Sequence, residues 1–586
     1  MSANLIALQN RFLGQGETVY DRLAQLAHDR GALRDEDLLA LAKELSLPPA
    51  HVRSVAKFYD ELRVEAPAKR ALQVCNGESC AVAGAEGCHA HLATALGGAD
   101  GVVVGEVTCL GYCGSGPNAL LVEDGVKKVF SLRGEGLAAV ERALLDGAAF
   151  DPVEPVNVVH APRSDREKVL LSRFGPELTD LAAARAAGVY GALEAALKGT
   201  PQAVVDAVKA SKIRGRGGAG FPAGLKLQTV KDASSKRGDK YVVVNADEGD
   251  AGAFIDKELL EQAPHSVLEG TILAAYAVGA SQGFVYLRGE YPRAIGIWKK
   301  ALADARAAGI LGDSVLGSGF AFDVKLVEGH GAYICGEETS LLRSLEGVPA
   351  QVSPKPPYPA IHGYKAAPTV VNNVETLAAY PWIVERGGEA YAALGAGDSR
   401  GTKLLSLSGS VAKPGLYEVE LGTTLRTILF ELAGGVPGGK AFKAVQIGGP
   451  LGGIFGEQHL DLPLTFEALA KAGGMLGHAG IVVYDEDVDL VRIGRGLMKF
   501  CAVESCGKCF PCRIGSVRAT EVFDKILAGR GTQADIDLLG EVNETMLLGS
   551  LCALGGGIPI PIKNLLTFFV SEFEAYVPGA KTPPVL

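Results

Sequence analysis

The chain has 586 residues, of which 48% are hydrophobic and 21% are charged, a globular composition with apolar material for several domain cores. Its formal net charge of −10 argues against a nucleic-acid-binding protein, and no apolar stretch approaches the roughly 20 residues that span a bilayer. Met1 to Glu17 lacks the basic and then apolar order of a secretory signal, so we expect a cytoplasmic protein. In that reducing compartment, eleven cysteines favour metal or cluster ligation over disulfides.

The apolar pattern divides the chain into six segments. Residues 1–66 show helical periodicity, and residues 67–150 alternate short strands and helices as a small α/β domain does. Residues 151–166 begin with a proline-rich stretch of little periodicity, which predicts a linker. Residues 167–402 predict a larger α/β domain, and residues 403–487, with a hairpin-like Lys413-Pro414-Gly415, predict a small β-grasp domain. Residues 488–586 are almost entirely helical around a group of cysteines.

The C-terminal cysteines are spaced like the ligands of a cubane cluster. Cys506, Cys509 and Cys512 form C-x2-C-x2-C, and Cys552 lies about forty residues later. Three closely spaced thiolates can each hold one iron of a [4Fe–4S] cluster, and the fourth iron needs a ligand from elsewhere. Zinc, which prefers two C-x2-C pairs, and unligated thiols are the alternatives. We expect Cys501 to be a packed core residue.

The N-terminal cysteines form two pairs that each follow a predicted strand. Cys75 and Cys80 form C-x4-C, and Cys109 and Cys113 form C-x3-C. Two such loops could meet over a [2Fe–2S] cluster, with zinc as the alternative. Cys88 is predicted to be a buried spare thiol, and the nearby His89 and His91 are predicted to be surface residues.

Three glycine-rich or polar loops predict one ligand pocket. The first, Arg214 to Phe221, contains G-x-G-x-x-G, but a helix rather than a strand precedes it, so an ordinary dinucleotide fold is not indicated. Its backbone could lie against phosphates or a flat ring, or it could be a turn without a ligand. The second loop, Asn245 to Asp250, and the third, Gly329 to Glu338, each follow a strand, where α/β folds place ligand groups. His330 and Cys335 are not expected to be catalytic.

In this order the motifs resemble the NADH-oxidising, 51 kDa-type flavoprotein module of respiratory complex I. The resemblance runs from about Glu167 to Pro578 through RGRGGAGFPAGLK, NADEGDAGAF, AYICGEE, KPPYP, VNNVET and ESCGKCFPC. The first 150 residues resemble that family's 24 kDa-type thioredoxin-like [2Fe–2S] protein, which is fused here to the same chain. The resemblance implies a Rossmann-like domain for FMN and NAD(H), a β-grasp domain, a helical [4Fe–4S] domain and the [2Fe–2S] domain.

The resemblance also implies roles for individual residues. The loop Gly215 to Gly220 would lie along FMN, with Lys226 near its phosphate or ring, while Phe221 and Tyr358 would stack on adenine. Glu337 and Glu338 would recognise nucleotide hydroxyls, with Lys355 nearby, so NAD rather than NADP is expected. The full set of implied cofactor-binding residues is Arg214, Gly215, Arg216, Gly217, Gly218, Ala219, Gly220, Phe221, Lys226, Asn245, Asp247, Glu248, Asp250, Tyr333, Gly336, Glu337, Glu338, Lys355, Tyr358, Asn372 and Asn373. Two positions depart from the family pattern, Asp250 where Glu is frequent and Thr229 where a third aromatic is frequent.

The implied reaction is hydride transfer between NAD(H) and FMN, followed by one-electron steps to the [4Fe–4S] cluster, with no catalytic side chain beyond the flavin. The fusion is similar to diaphorase subunits of soluble NAD-linked formate dehydrogenases and of NAD-reducing hydrogenases. The forms DEGDAGAF, EETSLL, FCAVESCGKC and GSLCALGG resemble the formate dehydrogenase branch. A molybdenum or tungsten formate dehydrogenase subunit with further clusters is therefore the expected partner. The alternatives are hydrogenase subunits, a complex I-type NADH dehydrogenase, and a scaffold without flavin chemistry.

Overall fold

The computed structural model describes residues 18–30, 33–59, 62, 70–99, 101–123, 126–152, 154–235, 238–329 and 331–585. Residues 1–17, about which the sequence made a prediction, and His330 lie outside this description. Three N-terminal helices follow the expected periodicity, and their buried side chains, such as Leu23 and Val52, pack against Phe284 and Leu341 of the large α/β domain. These helices are α1 (Val19–Arg30), α2 (Asp35–Glu44) and α3 (Pro49–Phe58).

The next domain has the thioredoxin-like arrangement. Its sheet has the order β2-β1-β3-β4, with β1 parallel to β2 and the other pairs antiparallel. Leu72 and Val74 of β1 point into a core that also contains Leu92 and Val140 from the covering helices. The elements are β1 (Arg70–Cys75), α4 (Glu78–Val82), α5 (Ala85–Leu96), β2 (Val102–Val107), β3 (Asn118–Glu123), β4 (Val126–Ser131) and α6 (Gly136–Asp146).

The large α/β domain contains a parallel four-stranded sheet of order β7-β6-β5-β8, which is the order of a Rossmann half. Val242, Val243 and Val244 of β5 are fully buried, as expected for a strand covered on both faces. The strands are β5 (Tyr241–Ala246), β6 (Gln282–Leu287), β7 (Asp323–Glu328) and β8 (Thr369–Asn373). The helices are α7 (Leu181–Ala186), α8 (Gly191–Ala196), α9 (Pro201–Ala210), α10 (Ala223–Asp232), α11 (Ile255–Gln262), α12 (Pro264–Val278), α13 (Pro292–Ala307), α14 (Glu338–Leu345), α15 (Pro359–His362), α16 (Val374–Arg386) and α17 (Gly388–Ala392).

A β-grasp domain follows, with the sheet order β12-β11-β15-β13-β14 and a parallel central pair, β11 and β15. The segment predicted as a linker is held on its edge, because Val159 forms a parallel bridge with Leu416 of β12. The His160 ring also stacks on Tyr417 at 4.1 Å between ring centroids. A separate two-stranded hairpin, β9 (Gly395–Ala396) and β10 (Ser399–Arg400), precedes this domain. The elements of the β-grasp domain are β11 (Thr402–Gly409), β12 (Gly415–Glu420), β13 (Phe442–Ile447), β14 (Gly453–Phe455), α18 (Phe466–Lys471) and β15 (Gly480–Asp485).

The C-terminal domain is a helical bundle whose core includes Leu497, Phe523 and Leu565. Its helices are α19 (Leu490–Glu504), α20 (Phe510–Lys525), α21 (Gln533–Gly549), α22 (Ala553–Gly557) and α23 (Pro559–Phe568). Within the described ranges, no helix combines the length and the apolarity needed to cross a bilayer. The predicted fold class is confirmed, while the exact domain limits at residues 66, 150, 166, 402 and 487 stay a prediction.

Candidate functional site

The glycine-rich loop Arg214–Gly220 lies between α9 and α10, so a helix precedes it, as predicted. A Cβ atom on Gly217 would lie 2.9 Å from the Cβ of Asn373, which leaves no room for a side chain there. Gly220 has a φ of +61°, a conformation that favours glycine. Arg214 closes the loop by donating from Nε to the Gly220 carbonyl at 2.7 Å. The loop therefore presents bare backbone, as close approach to a ligand requires.

The second loop, after β5, carries two buried carboxyl groups. Burial raises the pKa of Asp247 well above its ordinary value despite the charge of Arg288, and its Oδ2 has no partner within the described residues. Burial also raises the pKa of Asp250, whose Oδ1 accepts a hydrogen bond from the Tyr333 hydroxyl at 2.7 Å. The Tyr333 backbone N–H donates to Glu504, at the end of α19, at 3.0 Å. The second and third loops and the helical domain thus meet in one place.

Three asparagines at the ends of β5 and β8 join this assembly. Asn245 donates to the Gly336 carbonyl at 2.8 Å, which fixes the second loop to the third. Asn372 is buried and donates to the hydroxyl of Tyr380 on α16 at 2.8 Å. Asn373 caps α16 by accepting from a backbone N–H in its first turn, and its amide donates to a carboxylate of α11 at 2.6 Å. Asn245 and Asn373 are paired in register on the adjacent strands β5 and β8, at the switch point of the sheet, whereas the Asn372 side chain points to the opposite face, where it meets α16.

His478, which sequence reasoning missed, lies at the centre of these contacts. Its Nδ1 is 3.1 Å from the Arg216 carbonyl, and its Nε2 is 3.0 Å from Glu248 and 3.3 Å from Asp256. Burial alone would lower the pKa of His478, but the carboxylates of Asp256 and Glu248 raise it to about 10. Burial raises the pKa of Asp256 to about 8. The only sequence signal was a histidine in a glycine-rich stretch before a buried strand, which does not distinguish it from an ordinary loop residue.

Two acidic and two basic side chains form the predicted nucleotide-recognition group. Lys355 Nζ lies 2.7 Å from Glu337 and 2.8 Å from Glu338, and Glu338 lies 3.8 Å from Lys226. Glu337 also caps α14 by accepting from two backbone amides of its first turn. Burial lowers the pKa of Lys226, which donates to the Val371 carbonyl of β8 at 2.8 Å. Two carboxylates and two amines thus share one small polar region beside the sheet end.

The two predicted adenine-stacking rings are exposed on neighbouring helices. Phe221 precedes α10 and is 47% exposed, and Tyr358 precedes α15 and is 56% exposed. The two helices pack against each other. Leu225 and Ile361 add two more exposed apolar side chains on the same helices. Thr229 takes the place of a third ring, and its hydroxyl donates to the Leu225 carbonyl at 2.9 Å.

The structure brings the four C-terminal cysteines together at the edge of the apolar core of the helical domain, with Cys512 buried in that core and the other three half-buried against it. Cys506 lies in the α19–α20 turn, Cys509 is the N-cap of α20, and Cys552 is the N-cap of α22. Cys512 is buried in the first turn of α20. Helix N-termini favour thiolates, because their free N–H groups and dipoles stabilise negative charge. Burial raises the pKa of the unligated Cys552 to about 12, a cost that bonding to a metal would remove.

A fifth thiol, Cys501, lies beside this set. It is fully buried on α19, and its Sγ is 4.0 Å from the Sγ of Cys512 and 3.9 Å from the Leu554 carbonyl. A hydrogen bond from Cys501 lowers the pKa of Cys512 to about 7, and the hydroxyl of Ser505, 3.3 Å from the Cys512 Sγ, acts in the same direction. The structure therefore places Cys501 in the core, as expected of it, and in contact with one of the four predicted ligands.

The four N-terminal cysteines are also brought together, and each is at most 6% exposed. Cys75 ends β1, Cys80 lies in α4, and Cys109 and Cys113 follow β2, with their sulfurs 3.5 Å apart. The prediction that Cys88 is buried was wrong, because it lies half-exposed on α5 at the edge of the domain core. His91 is exposed as predicted, with its Nε2 2.8 Å from Glu141 Oε2, whereas His89 is half-buried.

The N-terminal cysteine site packs against the large α/β domain. The Sγ of Cys109 lies 3.8 Å from the Ala253 carbonyl, just beyond the second loop. Arg288 donates to the Thr108 carbonyl at 3.2 Å and to the backbone carbonyl of Glu248. The amine of Lys257 lies 3.8 Å above the Tyr112 ring. One side chain, Arg288, therefore contacts both the cysteine loop and the second loop.

The residues present fit the groups that the motifs imply. Four gathered thiols suit an iron–sulfur cluster at each cysteine set. At the three loops, the bare glycine backbone suits a flavin nucleotide with its ring and phosphate. So do the Oδ2 of Asp247 and the Nη1 of the buried Arg216, which have no hydrogen-bond partner among the described residues.

Comparison with known proteins agrees with one flavin site and two iron–sulfur sites in this chain. Residues 208–382 match the Nuo51 FMN-binding domain, residues 492–576 the NADH-ubiquinone oxidoreductase-F iron–sulfur binding region, and residues 7–133 the thioredoxin-like [2Fe–2S] ferredoxin. The chain is 47% identical over 394 residues to the HndC subunit of the NADP-reducing hydrogenase of Solidesulfovibrio fructosivorans, which covers 67% of this chain and 80% of that protein. It is 45% identical over 419 residues to an F-type NADH-quinone oxidoreductase subunit of Rhizobium meliloti, a match that covers 71% of this chain and 99% of that protein. The structure of an NAD+-reducing [NiFe]-hydrogenase in the H2-reduced state superposes on this one with a TM-score of 0.80 at 31% sequence identity. The superposition covers 97% of this chain and 94% of that chain.

The fold and the matches define an NAD(H)-linked electron-transfer protein that carries FMN, a [4Fe–4S] cluster and a [2Fe–2S] cluster. The chain belongs to the F-type NADH-quinone oxidoreductase family, the 51 kDa-type flavoproteins of complex I. A thioredoxin-like [2Fe–2S] domain precedes the flavoprotein part in the same chain. The predicted family and cofactors are confirmed.

Proposed function

We propose that this chain is the diaphorase subunit of a soluble, cytoplasmic NAD-dependent formate dehydrogenase. The assignment to a formate dehydrogenase, rather than to another NAD-linked complex, is supported by one observation. Four motifs resemble the formate dehydrogenase branch of the family: DEGDAGAF, EETSLL, FCAVESCGKC and GSLCALGG. The partner would be a molybdenum- or tungsten-containing subunit that oxidises formate and carries further iron–sulfur clusters. This chain would connect those clusters with NAD(H).

We assign the binding roles to the residues described above. The glycine loop, Asn245, Asp247 and the end of β8 hold FMN, which when bound supplies the conversion between two-electron and one-electron chemistry. Phe221 and Tyr358 clamp the adenine, while Glu337 and Glu338 accept hydrogen bonds from ribose hydroxyls. The [4Fe–4S] ligands are Cys506, Cys509, Cys512 and Cys552, and the [2Fe–2S] ligands are Cys75, Cys80, Cys109 and Cys113.

An exposed apolar surface supports a partner that docks at the [4Fe–4S] site. Val503, Phe510, Leu548 and Leu551 are 71%, 65%, 77% and 46% exposed. Phe510 and Leu551 are the immediate chain neighbours of Cys509 and Cys552, and Val503 lies three residues before Cys506. Such side chains cost solvation free energy unless another surface covers them. A partner seated there would bring its own cluster close to this one.

A paired substitution tests the docking surface. Leu548→Asp places a charge at the most exposed of these four apolar side chains and is expected to lower the yield of co-purified partner by tenfold or more. Val126→Asp, on β4 of the thioredoxin-like domain, is the matched control, since Val126 is also exposed, at 58%. Equal partner yields from the two variants would contradict docking at this surface.

A hydrogenase diaphorase is the second candidate, because the likeness to the NAD+-reducing [NiFe]-hydrogenase extends over nearly the whole chain. Metal analysis of the native complex separates the two. The formate proposal predicts molybdenum or tungsten in stoichiometric amount and no nickel, whereas nickel without molybdenum or tungsten would contradict it. Ferricyanide reduction by NADH with the isolated, FMN-loaded chain excludes a scaffold without flavin chemistry, and its absence would overturn the diaphorase assignment.

A further inference from the structure

His478 lies where the proposed flavin-binding segments converge, although it comes from a different domain. It belongs to the loop before β15 of the β-grasp domain, whereas Arg216 belongs to the glycine loop and Glu248 to the loop after β5. The β-grasp loop is seated directly on the glycine loop, since a Cβ on Gly218 would lie 3.7 Å from the Cα of Gly477. The loop is thus close enough to act on the glycine loop through a side chain.

The partners of His478 identify its protonation state. Nδ1 faces the Arg216 carbonyl, which can only accept a hydrogen bond, so Nδ1 carries a proton. Nε2 faces Glu248 Oε1, which also accepts from the backbone N–H of Asp256 at 2.8 Å. Glu248 Oε2 accepts from the Lys257 N–H at 2.9 Å, so Glu248 is a carboxylate surrounded by donors. Both ring nitrogens therefore donate, and His478 is an imidazolium.

The same network reaches the third flavin-binding segment. Asp256 Oδ2 lies 3.3 Å from His478 Nε2 and accepts from Asn373 Nδ2 at 2.6 Å. Asn373 ends β8 and packs against Gly217 of the glycine loop. A single buried cation thus connects three segments through charge-assisted hydrogen bonds, which are stronger than those between neutral groups.

We propose that His478 is a positioning residue for FMN, whose imidazolium ties the Arg216 carbonyl to Glu248 and so holds the glycine loop and the second loop at the spacing that the flavin requires. This inference rests on the flavin-site residues assigned under the proposed function, and not on the identity of the partner subunit. It predicts that the β-grasp domain, through His478, contributes to FMN affinity but takes no part in electron transfer. Preorganised loops bind more tightly, because they need not be ordered when the ligand arrives.

Four variants test the proposal. His478→Ala removes both donors, His478→Asn keeps one in the place of Nδ1, and His478→Gln keeps one in the place of Nε2. His459→Gln, in the same domain, is the control. The dissociation constant of FMN for the flavin-depleted, cluster-loaded chain is measured by quenching of flavin fluorescence, beside iron content and the apparent unfolding midpoint.

We expect His478→Ala to raise the FMN dissociation constant about tenfold or more, because charge-assisted hydrogen bonds are lost, while iron content stays that of the parent. The Asn and Gln variants should restore part of the affinity, and the control should match the parent. A dissociation constant within twofold of the parent for His478→Ala would overturn the proposal. If that variant does not fold, parental affinity in both the Asn and Gln variants overturns it equally.

Two further outcomes separate this proposal from its alternatives. The ring of His478 and the carboxylates of Glu248 and Asp256 could also hold a divalent cation. A stoichiometric non-iron metal in the isolated chain that disappears in His478→Ala would overturn the positioning role, and its absence supports it. A parent chain that binds no FMN would overturn the flavin assignment and this proposal together, whereas parental binding unaffected by His478→Ala overturns this proposal alone.

Discussion

We expect the chain to prefer NAD over NADP, and we expect this preference to depend on the charge of Glu338. Glu338 shares Lys355 with Glu337, at 2.8 and 2.7 Å, and lies 3.8 Å from Lys226. The two carboxylates and two amines nearly balance one another, so an added phosphate at the ribose meets a region without net positive charge. Glu338→Gln would remove one negative charge and leave the amines in excess, which favours the additional phosphate of NADPH.

The size of the effect follows from Coulomb's law. With an effective dielectric constant of about 40, two unit charges about 6 Å apart interact by about 1.4 kcal/mol. A 2′-phosphate carries about two charges, so removing the Glu338 charge should favour NADPH by about 3 kcal/mol, or about 100-fold. Glu337 is less suitable for this test, because its carboxylate also caps α14 and its loss would disturb the helix.

The assay is ferricyanide reduction by the isolated, FMN-loaded chain, with kcat/KM measured for NADH and for NADPH. Glu338→Gln should lower the NADH to NADPH ratio about 100-fold, chiefly through a rise with NADPH. Glu389→Gln, an exposed acid on α17, makes the same charge change elsewhere on the domain and should leave the ratio as it is. A ratio within about threefold of the parent in Glu338→Gln would refute the electrostatic reasoning.

Three further predictions concern the clusters and the buried charges. Cys512→Ser should abolish the electron paramagnetic resonance signal of the [4Fe–4S] cluster and spare that of the [2Fe–2S] cluster, whereas Cys501→Ser should spare both. Lys257→Met should weaken the contact between the thioredoxin-like and large α/β domains by about 1 kcal/mol, because it removes the cation that lies 3.8 Å above the Tyr112 ring. As the pH rises from 7 to 10, the apparent unfolding midpoint temperature should decrease, and it should decrease less in His478→Gln. The folded-state pKa of His478, raised to about 10, gives stabilisation that is complete below about pH 6.5 and is lost as the pH rises toward 10.

Each of these has a clear contrary outcome. Loss of the [4Fe–4S] signal in Cys501→Ser would make that thiol a ligand in place of one of the assigned four. Proteolysis of the thioredoxin-like domain at the parental rate in Lys257→Met would show that the buried amine adds nothing to docking. A pH profile of His478→Gln that coincides with the parent would mean that another group titrates in that range.

The parts of the site that are local in sequence could be predicted from it. Cys506, Cys509 and Cys512 lie within one short segment, so their spacing alone indicated a shared cluster. Strands such as Tyr241–Ala246 were recognisable as buried β-branched runs, and the polar loop after each strand marks the same sheet edge in any parallel sheet. Chemistry carried by neighbours along the chain therefore shows in one sequence.

The parts that depend on contacts between domains could not be predicted. His478 and Arg216 are 262 residues apart, and nothing near either residue indicates the other. The same holds for Lys257, whose partner ring, Tyr112, belongs to a different domain. The linker prolines concealed a strand-like bridge at Val159, because an edge position needs only a few backbone bonds and leaves no alternating pattern.

Formate-dependent reduction of NAD+ by the purified native complex tests the central claim most directly. The complex that contains this chain should reduce NAD+ with formate under an atmosphere without hydrogen, and the rate should disappear when FMN is removed and return when it is added back. Reduction of NAD+ with hydrogen but not with formate, by a complex in which this chain and its FMN are intact, would contradict the account.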